Sequence, residues 1–305
     1  MSRQFISINE TSHVDLARIY DLALAPVQGD ELAGVGVSLV FERPSLRTRA
    51  SSISAVQRLG GNVAVFTKDE IGLDERESAE DVARTLAQTS TIVAARVRNH
   101  DVFARMINAT PETSFINLLS NETHPTQAVA DVLTLAGHFG GGDLASLRGL
   151  TVAYVGDATN VTRSLATALI GLGAHVVVGA PDGYQLSESA VALISSRSQL
   201  GGTIRVTDSA HEAVLGARAI YTDSWISMGL EAESAQRRRD LASFQVNAEL
   251  VATADSPAIL HCLPAHRGEE ITDEVLDSEQ SLVWEEVRHR TSAMLGVLRW
   301  MKESQ

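Results

Sequence analysis

Short apolar runs alternate with amphipathic segments along most of the chain. The apolar runs are bounded by turn residues and predict buried strands over residues 35–40, 62–67, 91–97, 113–119, 150–157, 175–179, 203–207, 219–222 and 258–260. Helical spacing of apolar residues predicts helices over residues 14–24, 45–59, 79–90, 102–109, from 125 onward, 160–172, 187–198, 211–215 and 291–301. Strands that alternate with helices favour βαβ units and a mostly parallel sheet.

The chain is long enough for two domains, each with its own core. It has 305 residues, and the glycines at 140–142 mark a break. We predict an α/β protein of two doubly wound domains, each with a mostly parallel sheet flanked by helices. The first domain is expected to cover residues 1–137, completed by a C-terminal helix at 288–305, and the second residues 138–287. Because ligands bind outside the carboxyl ends of parallel strands, we expect the active site in the cleft between the domains.

Residues 41–52 leave the first predicted strand and open a helix. Ser45 is suited to cap this helix, and Arg47 and Thr48 lie in its first turn. A helix N-terminus offers unpaired N–H groups and a partial positive charge, and arginine binds phosphate oxygens through two N–H groups. The pattern favours a phosphate site, and a capped surface helix with solvated arginines is the alternative.

His124 and Gln127 lie three residues apart where another predicted strand meets a helix, with Pro125 in the first turn. Both side chains can therefore reach one point above the sheet. A histidine at a helix start is also found as a cap or as a plain surface residue, so this motif alone leaves the choice open.

Asp223 and Cys262 follow two predicted strands of the second half of the chain. A carboxylate and a thiol can hold an amino group that must be neutral in order to attack. Polar groups of the first half can hold a phosphate and stabilise charge on a carbonyl oxygen. These groups suit transfer of an acyl group from a phosphorylated donor to an amine. In that chemistry Arg47 holds the phosphate, and Arg96, Thr48, His124 and Gln127 contact the carbonyl.

Composition and charge restrict the classes of partner and the kinds of site that the protein can have. A net charge of −13 and a pI near 5.1 argue against a nucleic acid or an anionic membrane as the partner. The single cysteine, Cys262, excludes an internal disulfide and a cysteine-cluster zinc site. The turn near Gly156 lacks the Gly-x-Gly-x-x-Gly fingerprint of NAD-binding domains. We expect a soluble cytoplasmic protein, since neither a signal-peptide core nor a membrane-length apolar run is present. We also expect neither a cofactor nor a metal.

Several short motifs together resemble the aspartate/ornithine carbamoyltransferase family over nearly the whole chain. They are SLRTR at 45–49, the arginine of AARV at 96, HPTQ at 124–127, GDATN at 156–160, TDSWISMG at 222–229 and HCLPAHRG at 261–268. The Asp-x-x-x-Ser-Met-Gly segment is typical of the ornithine members. The resemblance implies that carbamoyl phosphate and L-ornithine give citrulline and phosphate, in arginine biosynthesis. It also implies a homotrimer with active sites near the subunit contacts.

The resemblance further implies which residues bind each substrate. It places carbamoyl phosphate on Ser45, Leu46 (through its backbone), Arg47, Thr48, Arg96, His124, Gln127, Cys262, Leu263 and Arg290. It places ornithine on Asn160, Asp223, Ser227 and Met228, with Cys262 and Leu263 beside the reacting amine. The residues assigned to catalysis are Arg47, Arg96, His124, Gln127, Asp223, Cys262 and Arg290.

Three segments depart from the family pattern. Residues 68–78 form an acidic predicted loop, where the family usually has a glutamine and a basic residue near the donor. Thr159 replaces the usual asparagine before Asn160, and residues 288–290 read Arg-His-Arg instead of Glu-Asn-Arg. A related carbamoyltransferase that acts on a different amine is therefore one alternative. A catalytically weak binding or regulatory protein is the other, and the retained residues on both sides of the reaction argue against it. The direction of the reaction in metabolism stays open.

Overall fold

Within residues 2–226 and 231–303, which the computed structural model describes, the chain divides into two units. The first unit comprises residues 1–130 and 288–305, and the second residues 131–287. The predicted fold class is confirmed, because each unit is built on a parallel sheet flanked by helices.

The described part of the first unit is built on a four-stranded sheet in the order β2-β1-β3-β4, and its ladders are parallel. The strands are β1 (Gly36–Phe41), β2 (Asn62–Thr67), β3 (Ile92–Arg96) and β4 (Ser114–Leu119). The helices are α1 (His13–Leu24), α2 (Leu46–Arg58), α3 (Lys68–Ile71), α4 (Ala79–Leu86), α5 (Val102–Ala109) and α6 (Pro125–Gly140), which runs on into the second unit. Val93, Phe103 and Phe115 lie in a core that packs α4 and α5 on the sheet. The strand order reverses between β1 and β3, which is where ligands bind in such sheets.

The described part of the second unit is built on a five-stranded parallel sheet in the order β7-β6-β5-β8-β9. The strands are β5 (Thr151–Val155), β6 (His175–Gly179), β7 (Thr203–Thr207), β8 (Ala219–Thr222) and β9 (Ala258–His261). The helices are α7 (Asn160–Gly171), α8 (Glu188–Ser195), α9 (Ala210–Val214), α10 (Ser234–Leu241), α11 (Ala248–Thr253), α12 (Asp273–Leu276) and the start of α13 (Val283–Lys302). Here the order reverses between β5 and β8.

Two of the predicted segments are wrong. Residues 68–71, predicted as part of a loop, form the short helix α3, because the Glu70 carboxylate accepts from the Thr67 amide and hydroxyl and so caps its start. The closing helix α13 begins at Val283 and not at Thr291. Within the described residues, no helix combines the length and apolar character that a membrane crossing requires.

Arg299, on α13, ties this C-terminal helix to the segment that follows α1. Its side chain is 6% exposed, and its guanidinium pairs with the Glu31 carboxylate at 2.6 Å. It also donates to three backbone carbonyl oxygens, at 2.6, 2.9 and 2.7 Å, which belong to Leu22, Ala25 and Pro26. One buried side chain therefore satisfies a carbonyl group in the last turn of α1 and two in the segment that follows it.

Glu31 is held in its charged form by the same contacts. Burial alone would raise the pKa of Glu31, but hydrogen bonds from the Gln28 amide, the Arg299 guanidinium and the Gly29 amide lower it to about 2. A carboxyl group whose pKa is depressed by folding stabilises the native state above its unfolded pKa. That contribution is lost as the pH falls toward 2.

We expect Arg299→Met to lower the free energy of unfolding by roughly 3 kcal/mol, because it leaves a carboxylate and several carbonyl groups without their buried partner. Arg18→Met is the matched control, since Arg18 pairs with Glu303 at a side chain that is 50% exposed. Urea unfolding followed by circular dichroism should show a much larger loss for Arg299→Met. Equal losses in the two variants would contradict this account of Arg299.

Candidate active site

The N-terminus of α2 places hydroxyl groups directly after β1. Ser45 is its N-cap, and the Ser45 Oγ accepts from the Thr48 amide at 3.4 Å. The Ser45 hydroxyl also donates to Thr48 Oγ1 at 3.0 Å. Thr48 is buried and Leu46 is exposed. The predicted capping serine is therefore confirmed, and the first turn of the helix is held in place by its own side chains.

Arg290 links this helix start to α6. Its guanidinium donates to Thr48 Oγ1 at 3.0 Å and also to Gln127 Oε1. All three side chains are buried. The structure therefore joins residues from three distant stretches of sequence through one guanidinium.

His124 stands before the first residue of α6, surrounded by positive charge. Burial, and then the charges of Arg290, Arg96 and Arg47, lower the pKa of His124 well below its ordinary value of 6.5. Arg96 ends β3 and, like His124, is buried. The imidazole is therefore neutral at physiological pH, and three guanidinium groups lie around it in a chain whose net charge is −13.

These residues form one group, which we call the cationic cluster. Its members are Ser45, Arg47, Thr48, Arg96, His124, Gln127 and Arg290. Guanidinium groups, a helix N-terminus and hydroxyls favour an anion with several oxygens, and phosphate is such an anion. The neutral imidazole and the amide add uncharged hydrogen-bonding groups that suit a carbonyl.

Several acidic side chains after β2 are paired with cations. Lys68 contacts Glu75 at 2.9 Å, and Arg105 contacts Asp74 at 2.8 Å and Glu80 at 2.5 Å. Three of the carboxylates in or near this segment therefore carry their own counter-charges.

Cys262 and Asp223 contact each other after β9 and β8 in the second unit. The thiol donates to Asp223 Oδ1 at 3.0 Å, and the Ser224 amide donates to the same oxygen at 2.7 Å. Burial, and then the carboxylates of Asp223 and Glu286, raise the pKa of Cys262 well above its ordinary value of 9.0. The thiol is therefore neutral and serves as a hydrogen-bonding group instead of a nucleophile.

His261 shapes the loop that carries Cys262 and Leu263. The Leu263 amide donates to His261 Nδ1 at 2.9 Å, so the ring proton is on Nε2, which lies 3.0 Å from Glu270 Oε1. Leu263 has φ 57°, in the left-handed region. Glu286 accepts from the His261 backbone amide at 3.1 Å. Two buried glutamates thus hold the loop from both sides.

Asn160 and Asp157 follow β5. Asn160 is the first residue of α7, and its side-chain oxygen accepts from the Val161 amide at 3.0 Å. Burial raises the pKa of Asp157 to about 6, although the neighbouring Arg237 opposes this rise. Ser227 and Met228, which the sequence also indicated, lie outside the described residues.

Sequence reasoning missed the role of three polar residues. A basic run such as residues 237–239 is typical of a solvated helix face, but the Arg237 side chain is buried against Asp157. Glu270 and Glu286 were not singled out. A signal for Glu286 exists, since it lies three residues after Val283 on the apolar face of α13. Glu270 gives no such signal.

Two groups of side chains bring metal-ligand atoms within 4.8 Å of one another: Asp223 with His261 and Cys262, and His266 with Glu269 and Glu270. In the first group both ring nitrogens of His261 already make hydrogen bonds, and the thiol is protonated. In the second, His266 Nδ1 lies 2.9 Å from Ser224 Oγ. A metal would have to displace these contacts.

Comparisons with known proteins match both halves of the chain. Residues 3–137 match the family model of the aspartate/ornithine carbamoyltransferase carbamoyl-P binding domain, and residues 148–301 match that of the Asp/Orn binding domain. An ornithine carbamoyltransferase of Ignicoccus hospitalis is 40% identical over 88% of this chain and 85% of its own length. One of Symbiobacterium thermophilum is 37% identical over 97% of this chain and 96% of its own.

A solved structure shows the same similarity. The ornithine carbamoyltransferase from Pyrococcus furiosus has a TM-score of 0.90 at 35% identity, over 97% of this chain and 96% of its own.

We expect Cys262 to react with iodoacetamide at pH 7.5 at least about 10-fold more slowly in the native protein than in urea, because its thiol is buried and its pKa is raised. The rate should rise only at strongly alkaline pH. Mass spectrometry reads the result without ambiguity, since the chain has one cysteine. Equal rates in native and unfolded protein would contradict the neutral, shielded thiol.

Proposed function

The chain belongs to the aspartate/ornithine carbamoyltransferase family, and we propose that it transfers the carbamoyl group of carbamoyl phosphate to the distal amine of L-ornithine, which gives L-citrulline and phosphate. The cationic cluster is the observation that carries this proposal, because it combines phosphate-binding cations with neutral groups for a carbonyl. The names of the relatives support ornithine as the acceptor.

Carbamoyl phosphate binds, in this proposal, to residues 1–137 and 288–305. Arg47, Ser45 and the backbone of Leu46 hold the phosphate. The carbamoyl oxygen is held by Thr48, Arg96, His124, Gln127 and Arg290. These donors stabilise the charge that develops on the oxygen when the amine attacks, and they are already oriented before the reaction starts.

The transfer forms one C–N bond and breaks the C–O bond to phosphate. The ornithine amine must be neutral to attack, whereas a lysine-like amine has a pKa near about 10.4 in water. Desolvation favours the neutral amine. The proton that the attacking nitrogen loses passes to the departing phosphate, which leaves as a dianion that the cations of the cluster stabilise.

Ornithine binds, in this proposal, to residues 138–287. Asn160, Asp223 and Ser227 hold the α-amino acid group, with Met228 beside it. The Cys262 thiol and the Leu263 carbonyl face the distal amine. The contact of 3.0 Å between Cys262 and Asp223 supports this assignment, because it places the two proposed contacts for ornithine side by side. Ser227 and Met228 rest on the sequence motif alone.

The alternative acceptor is an amine other than ornithine, as Thr159 in place of asparagine suggests. An assay with carbamoyl phosphate labelled in its carbonyl carbon, offered to ornithine, lysine, putrescine and N-acetylornithine, separates the alternatives. The proposal requires ornithine to give the highest kcat/KM. Preference for putrescine, which lacks the carboxylate, would contradict ornithine while leaving the carbamoyl transfer intact.

We further propose a cytoplasmic protein of arginine biosynthesis that acts on two small molecules, without a cofactor and without nucleic acid or membrane as partner. The acidic net charge of −13 supports the exclusion of polyanions. The assembly proposed from the family resemblance is a homotrimer.

Substitutions of the proposed carbamoyl phosphate residues and of the proposed ornithine residues should change different kinetic constants. We expect Arg47→Ala to lower kcat/KM for carbamoyl phosphate at least about 30-fold, since lost charge-assisted contacts to a desolvated anion cost about 2 kcal/mol or more. Asp223→Asn should instead raise the KM for ornithine about 10-fold or more and leave the KM for carbamoyl phosphate nearly unchanged.

Matched controls are Arg58→Ala, at the exposed far end of α2, and Asp182→Asn, an exposed aspartate after β6. Steady-state kinetics with each substrate varied in turn measures the KM and kcat/KM for carbamoyl phosphate and for ornithine separately. A loss of donor affinity in Asp223→Asn, with ornithine unaffected, would refute the assignment.

We expect sedimentation equilibrium at micromolar concentration to give a mass of three chains of 32.6 kDa. A fully active monomer under the same conditions would overturn the proposed trimer.

A further inference from the structure

We infer that Arg237 is a positioning residue for the acceptor, because it holds the segment after β5 and the segment after β8 in one arrangement. This inference rests on the proposed function, since those two segments carry Asn160 and Asp223 of the proposed ornithine site. Arg237 itself is not expected to touch either substrate.

The guanidinium of Arg237 contacts both segments. One of its nitrogens, Nη2, pairs with Asp157 Oδ2, and the two side chains are 9% and 11% exposed. Its Nε donates to the Trp225 carbonyl oxygen at 2.6 Å. Asp157 follows β5 and Trp225 follows β8, the two strands between which the strand order reverses. One planar side chain from α10 therefore bridges two segments that have no covalent link nearby.

The guanidinium is restrained on its other sides as well. Its central carbon lies 4.9 Å from the centroid of the Tyr184 ring, a cation–π distance. Tyr184 is fixed in turn by its hydroxyl, which donates to Asp240 at 2.9 Å. A second terminal nitrogen lies 3.3 Å from the Glu233 carboxylate. Arg237 therefore has little freedom to move.

The bridged segments are packed tightly against each other, so a shift of Arg237 would also move the residues that these segments carry. Trp225 is 3% exposed and lies against Gly156, where an added Cβ would be 3.3 Å from the indole nitrogen. Gly156 has φ 123°, a conformation that favours glycine. Asp157 is three residues before Asn160, and Trp225 is two residues after Asp223.

Loss of the guanidinium would release both segments. Burial already raises the pKa of Asp157 to about 6 while Arg237 is present. Without that charge the pKa of the Asp157 carboxyl would rise further, and the Trp225 carbonyl would lose its buried donor. A lysine offers one point charge and cannot reproduce the planar fork that reaches a carboxylate and a carbonyl together.

The test compares Arg237→Met and Arg237→Lys with Arg239→Met, a matched change at an exposed position of the same helix. We expect Arg237→Met to raise the KM for ornithine at least about 10-fold. The KM for carbamoyl phosphate should change less than about twofold, since its proposed residues lie in the other unit. The KM of Arg237→Lys for ornithine should lie between those of Arg237→Met and the wild type. The KM of Arg239→Met for ornithine should equal that of the wild type.

Hydrogen exchange gives a second readout that does not depend on the substrate. Peptides covering residues 221–226 should exchange faster in Arg237→Met than in the wild type, and at the wild-type rate in Arg239→Met. Unchanged exchange there would overturn the bridge. Faster exchange with an unchanged ornithine KM, or an activity loss that only follows the folded fraction, would overturn the positioning role.

Failure of the proposed function would look different. A wild-type protein that carbamoylates another amine and not ornithine would refute that function, and the KM split would then be measured with the amine it uses. If Arg237→Met does not fold, Arg237→Lys decides the question by the same two readouts.

Discussion

Parallel pairing of the strands is the constraint on which the rest of the structure depends. In a parallel sheet every strand ends at the same edge, so residues that follow different strands meet although they are far apart in sequence. Arg47, Arg96 and His124 come together in this way after β1, β3 and β4. In the second sheet, Asp223 and Cys262 meet after β8 and β9. In an antiparallel sheet, neighbouring strands end at opposite edges, so the residues that follow them would have been kept apart.

His124 and Cys262 are both uncharged, although the charges around them have opposite signs. Arginines lower the pKa of His124, whereas burial and carboxylates raise that of Cys262. Each residue thereby keeps the form that can exchange hydrogen bonds with neutral groups, such as a carbonyl or an amine. The net charge of −13 says nothing about either environment, because a buried group responds to the few charges next to it.

The sequence predicted the strands well, because apolar runs bounded by turn residues have few other interpretations. Residues 62–67, 175–179, 203–207 and 219–222 were placed at their observed bounds. Apart from the short helix α3, the errors arose where a polar side chain is buried against a partner. The start of α13 was missed because Glu285 and Glu286 interrupt its apolar pattern, and Glu286 is in fact buried against the His261 amide. Arg237 is a similar case, because its partner Asp157 is distant in sequence and the basic run alone does not show that this arginine is buried.

The C-terminal helix has a consequence for the order in which the protein assembles on the ribosome. Residues 131–287 are continuous, so the second unit has its whole sequence before α13 is complete. The first unit is made of residues on both sides of the second along the chain, so Arg290 and Arg299 reach it only after residues 131–287 have been synthesised. Its cationic cluster is incomplete until then. The usual order, in which the N-terminal part is finished first, is reversed in this chain.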